Sequence, residues 1–177
     1  MNAFRKYAVW IVGLGLAAFI IPSVISGIGK FAQNTSQPMV KPTSQPYEPP
    51  FRMDGWSWAI NGTDTVASFR TEFATTPQAI EIGMMYRRSM APDMAMLFVM
   101  PGGDQMRSFW MKNTLVGLDI IYINASHEVV SIQENAQPLN TTSLPSFAPA
   151  SFVLEVPAGT SAAKGIKAGT IIDWTQN

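Results

Sequence analysis

The stretch SFWMKNTLVGLDIIYIN, Ser108 to Asn124, decides how the chain folds. Its second half, LDIIYIN, is apolar enough for a sheet interior and too short for a long helix, so it reads as a strand. In the first half, SFWMK also reads as a strand. Phe109 and Met111 then share one face, and Trp110 and Lys112 share the other. If the first pair enters a core, the second faces solvent or a groove. Asn113 and Thr114 suit a bend between the two strands, because their side chains can satisfy loop backbone groups. Asp119 opens the second strand, where its carboxylate can pair with Lys112 or accept from backbone amides.

Outward from this pair the pattern is mostly short strands. DTVASFRTEFA (64–74) alternates like a half-buried strand. TTPQAIEIGMMYRR reads as a short helix: Thr75 or Thr76 can cap it and Pro77 suits its first turn. Ala79, Ile82 and Met85 or Tyr86 fall on one face, and Gly83 marks its end. MAMLFVMP is a buried strand closed by Pro101, and NASH (124–127) is the hairpin turn into EVVSIQEN. FVLEV and TIIDW are further strands, with a short helix in AGTSAAKGIKAG between them. The fold class predicted is mainly β: a compact antiparallel β sandwich or barrel with two short helices, preceded by one N-terminal transmembrane helix.

That helix is read from YAVWIVGLGLAAFIIPSVISGIG, the 23 uncharged residues from Tyr7 to Gly29. About 20 residues cross a bilayer core as a helix, and Arg5 and Lys6 before them favour a cytoplasmic N-terminus. Residues 1–30 are thus a signal anchor, or a signal peptide if cleavage occurs near Ser26. Residues 31–50, with Pro38, Pro42, Pro46, Pro49 and Pro50, form an extended linker. Residues 51–177 then form an extracytoplasmic β domain, periplasmic or at the cell surface, or secreted after cleavage. Trp56 and Trp58 stand just before its recognisable strands. Residues 1–50 carry Arg5, Lys6, Lys30 and Lys41 against Glu48, a net +3, so the zero overall charge leaves −3 on the rest. A mildly acidic domain without a basic run is a poor partner for nucleic acid. The absence of Cys excludes disulfides and thiolate chemistry.

The candidate ligand-binding residues are Trp110, Lys112, Asn113 and Asp119, an indole beside polar groups; Arg87 joins them as an available cation. The alternative for the same residues is a polar clamp that fixes the connection between two strands. Glu134 and Glu155 lie on core-facing rows and need partners, since an unpaired buried charge is expensive. Together with Asp119, and with Lys112 as electrophile, they form the candidate set for acid/base catalysis. His127, the single histidine, sits in a turn, and no nucleophile motif surrounds any Ser. Eight of the eleven methionines fall between Met84 and Met111. Thioethers can bind Cu(I), but Met is also an adaptable core filler, and no spaced Met or His ladder repeats. No cofactor and no metal are expected.

In order along the chain, IGMMYRRSM, MLFVMP, SFWMKNTLVGLDIIYIN, VVSIQENAQP and FVLEVPAGTSAAKGIKAG resemble the prokaryotic family known as domain of unknown function 192. The resemblance covers about residues 64–173. Gly117 replaces a usual Pro, Thr170 a common Asp and His127 a frequent Gly. The resemblance implies a small β-rich domain, often behind an export signal, and no settled activity. The function expected is a membrane-tethered binding or accessory module for an envelope protein or small ligand. A small hydrolase-like enzyme using Asp119, Glu134 or Glu155 and a structural envelope protein are the alternatives.

Overall fold

The computed structural model describes residues 47–177; the N-terminal apolar segment and most of the Pro-rich linker lie outside the described residues. Among the described residues no helix is long and apolar enough to cross a membrane. Among the described residues nine strands and two short helices follow one another: β1 (Gly55–Asn61), β2 (Asp64–Ala74), α1 (Pro77–Ile82), β3 (Met94–Val99) and β4 (Gln105–Phe109) come first. Then come β5 (Leu118–Ile123), β6 (Val129–Ala136), β7 (Leu144–Ala150), β8 (Phe152–Pro157), α2 (Thr160–Lys164) and β9 (Ile171–Gln176).

Seven strands form one sheet in the order β6-β5-β8-β3-β2-β1-β9, and β4 pairs with β7 in a second, two-stranded sheet. The sheet is mixed, which corrects the antiparallel expectation: β2 and β3 run parallel, with Glu72 beside Met96. A parallel pair needs a crossover of a dozen or more residues, and residues 75–93, with α1, supply it. The edge strands approach through a single bridge, Glu128 to Ile171, so the sheet curls without closing into a barrel.

Both faces of this sheet are covered, which explains the opening stretch. Ile121 and Ile123 of β5 join Leu97, Leu154 and Ile172 in one core, while Leu118, Ile120 and Tyr122 join Met96, Phe98 and Val153 in the other. All six residues of β5 are buried, Asp119 included. The second core is closed by Ile80 of α1 and by Phe109 and Leu144 of the small sheet. The strand expected through Lys112 ends earlier, at Phe109; Met111 still reaches that core, from the loop.

Two strands escape the sequence pattern. GWSWAIN forms β1, pairing with both β2 and β9, so Trp56 and Trp58 belong to the sheet rather than preceding the domain. LPSFAPA forms β7 despite Pro145 and Pro149; a two-stranded sheet leaves each strand one unpaired edge, where proline is tolerated. The residues before β1 are also tied down. Arg52 donates through its amide to Glu72 and through Nη2 to the Phe73 carbonyl, and Asp54 accepts from the Phe73 amide.

Candidate functional site

Register across the sheet sets the site. Glu72 on β2, Met96 on β3, Glu155 on β8 and Ile120 on β5 lie side by side in one row. That row belongs to the face covered by α1 and the small sheet, so the side chain of Glu155 is only 4% exposed among apolar neighbours. Its Oε2 has no hydrogen-bond partner among the described residues. Burial pushes the carboxyl up to about 8, with the Arg87 guanidinium opposing the shift.

Above Glu155 is a cavity of about 170 Å³, walled by Ile80, Met84, Phe98, Met100 and Phe109. The short helix α1 forms one side. Thr76 caps it by accepting from the Ala79 amide at 3.2 Å, Pro77 occupies its first turn, and the chain leaves through Gly83 at φ +46°. A Cβ at Gly83 would stand 3.0 Å from the Phe98 ring, so glycine lets the helix end close over the cavity. Ile80, rather than the expected Ile82, packs toward the second core; Ile82 is partly exposed. Phe98 meets Phe109 edge-to-face at 5.2 Å, and Phe109 meets Tyr122 likewise at 6.1 Å. The Tyr122 hydroxyl donates to the Leu144 carbonyl at 2.5 Å, and burial, then Glu155, raise its pKa.

Trp110 stands at the rim, 50% exposed and lining the cavity. Lys112 places Nζ 5.1 Å from the centre of its ring, a cation–π contact on the surface. Neighbouring Asn113 adopts φ +58°, accepts from the Tyr86 amide at 2.8 Å and donates through Nδ2 to the Tyr86 hydroxyl at 3.0 Å. It fastens this turn to the segment after α1.

Asp119 lies elsewhere. It shares a row with Val156, on the sheet face opposite Glu155. Fully buried, it accepts from the amides of Asn135 (2.8 Å), Gly159 (3.0 Å) and Ser161 (2.8 Å). It is the acceptor that holds the start of α2 against β5, and it does not meet Lys112 at the surface. Glu134 is exposed, because the β5–β6 register shifts between Leu118 and Ile120. Asp119, Glu134 and Glu155 therefore do not converge, and Lys112 does not line the cavity.

Arg87 is buried and grips Glu72 through both terminal nitrogens, at 2.8 and 3.0 Å. Its Nε, like Glu155 Oε2, has no partner among the described residues. Glu72, on the alternating strand β2, is thus the partner of Arg87, with Arg52 Nε also 3.2 Å away. A carboxylate in a strand interior was the only available signal. The methionines divide: Met84, Met96 and Met111 are core residues, and Met106 is exposed. Among the described residues no group of three His, Asp or Glu side chains could hold a metal ion.

No curated protein matches the chain significantly. One similar structure is a Sinorhizobium meliloti protein named, provisionally, a transcription regulator. It is 34% identical, with 68% of this chain and 92% of that one covered and a TM-score of 0.65. Another is a protein of unknown function from Novosphingobium aromaticivorans, 31% identical over 84% of this chain and all of that one, also with a TM-score of 0.65. The family model described as Uncharacterized ACR matches residues 59–174, and the chain belongs to that family, domain of unknown function 192.

Proposed function

We propose that this protein is a binding module of the cell envelope whose site is the cavity between the rim indole of Trp110 and the buried carboxyl of Glu155. One observation carries the reading: Glu155, a buried carboxyl whose Oε2 has no hydrogen-bond partner among the described residues, lines an apolar cavity next to an exposed indole. Small-ligand sites combine apolar walls with a few placed polar groups in this way. At about 170 Å³ the cavity suits a body of roughly one aromatic ring, since an engineered cavity of about 150 Å³ holds benzene. The uncharged stretch Tyr7–Gly29 supports a membrane tether that holds this site outside the cytoplasm, within reach of an envelope protein or small ligand.

A second reading is a small acid/base enzyme, favoured by a Glu155 carboxyl that changes protonation near neutral pH. Binding is the better supported of the two. The only other titratable side chain lining the cavity, among the described residues, is exposed Glu81, and no His or Lys joins Ser108 and Thr114 in that lining.

The test is titration of the full chain, labelled with ¹³C at its methionine methyls, with benzyl alcohol. Saturable shifts confined to Met84, Met85 and Met100, with exposed Met53 and Met106 unmoved, are expected. No saturable shift, or an equal shift at every methionine, would overturn the reading.

A further inference from the structure

Resting on that cavity as a ligand site, we infer that its ligand is a small amine, a primary ammonium carried on a ring-sized apolar body. Both charged side chains lining the cavity are acids: Glu155 at its buried end and Glu81, exposed, on α1. Among the described residues no Lys, Arg or His lines it. The walls present Phe98 and Phe109, with Trp110 at the rim, and aromatic faces attract a desolvated cation. Thioethers of Met84, Met85 and Met100 add polarizable surface without a competing donor.

The decisive feature is the unused acceptor. Glu155 is more than nine-tenths buried, yet Oε2 accepts from nothing among the described residues. A buried charge is costly unless paired. An incoming ammonium offers the pairing charge and N–H donors together, whereas a neutral hydroxyl offers one donor and no charge, and a carboxylate ligand adds repulsion.

The charged and titratable groups facing Glu155 from each side fit this assignment. Arg87 lies close enough to influence it, but its two terminal nitrogens are committed to Glu72 on β2. Tyr122 on β5 is held by the Leu144 carbonyl. On α1 the facing group is Glu81, an acid, and Lys112 is outside the cavity, over the Trp110 ring. Among the described residues the cavity lining thus has a carboxyl with an unused acceptor and no cation; the unpartnered Arg87 Nε is buried outside that lining.

Ammonium binding should therefore drive the Glu155 proton off. The carboxyl, protonated in the empty pocket below about pH 8, becomes carboxylate as the ammonium enters. One proton is released to solvent per amine bound, and no bond other than O–H breaks.

The experiment compares three probes of similar size on the methionine-labelled full chain at pH 7: benzylamine, benzyl alcohol and benzoate. Calorimetry in two buffers of different ionisation heat counts protons. Benzylamine is expected to bind at least tenfold more tightly than benzyl alcohol, with benzoate weakest and close to one proton released. In Glu155→Gln the amine preference should fall to within about twofold while benzyl alcohol still shifts the Met84, Met85 and Met100 methyls. If benzyl alcohol binds but benzylamine gains nothing over it, or releases no proton, the amine assignment is overturned and the cavity remains a ligand site. If none of the three moves those methyls, the cavity reading fails and the amine assignment with it.

Discussion

Trp110 and Glu155 sit within one cavity but are held there by different forces, and substitutions should separate them. Half-exposed Trp110 contributes little core area, so Trp110→Ala should cost under about 1 kcal/mol in urea unfolding, as surface substitutions usually do. A larger loss would assign the indole to the core. Glu155 behaves oppositely with pH. Its folded pKa lies above the ordinary value, so the native state retains a proton that the unfolded chain has released. The stabilising contribution is complete below about pH 4.5 and is lost as pH rises toward about 8. Between those limits stability should fall by about 1.4 kcal/mol per pH unit, and subtracting the Glu155→Gln profile should isolate that slope. A difference curve that is flat or rises would contradict the buried, unpaired carboxyl. Arg87 tests the neighbouring pair. Arg87→Ala leaves the buried Glu72 carboxylate to half-exposed Arg52 alone, which pairs with it at 3.2 Å, and should cost about 2–3 kcal/mol in the same unfolding measurement.

At the scale of elements, α2 depends on a strand that precedes it by some forty residues. Asp119 on β5 holds the amides of Gly159 and Ser161 at the start of α2, and the amide of Asn135 in the β6 bulge. Asp119→Ala orphans three donors and should cost about 3 kcal/mol or more, with faster hydrogen exchange at Gly159 and Ser161; Asp119→Asn should lose less. Exchange unchanged from the native chain would remove Asp119 from that role. The same elements show what the sequence could and could not reveal. Helix α1 was legible because Thr76, Pro77 and Gly83 are local signals that act within one turn. The buried strands β3, β5 and β8 were legible from their apolar runs, and the inward Met111 and outward Trp110 from alternation. The parallel β2–β3 pairing was not legible, since the choice between crossover and hairpin is made by what covers the sheet. Nor was the separation of Asp119 from Glu155, which the register between β5 and β8 decides. Strand β7 was hidden because proline normally argues against a strand.

At the scale of the whole described domain, the two covered faces explain why Glu155 lines a small apolar cavity rather than joining a polar cluster. One core is closed by the large sheet with Ile166 from the segment after α2; the other needs α1 and the two-stranded β4–β7 sheet, and where these meet the cavity remains. The proposed tether makes a prediction at the same scale. The full-length chain should fractionate with membranes at unchanged mass, and added protease should reach its C-terminal domain in spheroplasts but not in sealed inside-out vesicles. A chain digested only after the cytoplasmic side is opened would refute that orientation. The cavity account itself is tested most directly by a ¹³C carboxyl titration of Glu155 in the full-length protein. A midpoint near pH 8, moving well down when benzylamine is present, is the predicted result. A midpoint near 4.5, unmoved by the amine, would show a solvated carboxyl and contradict the account.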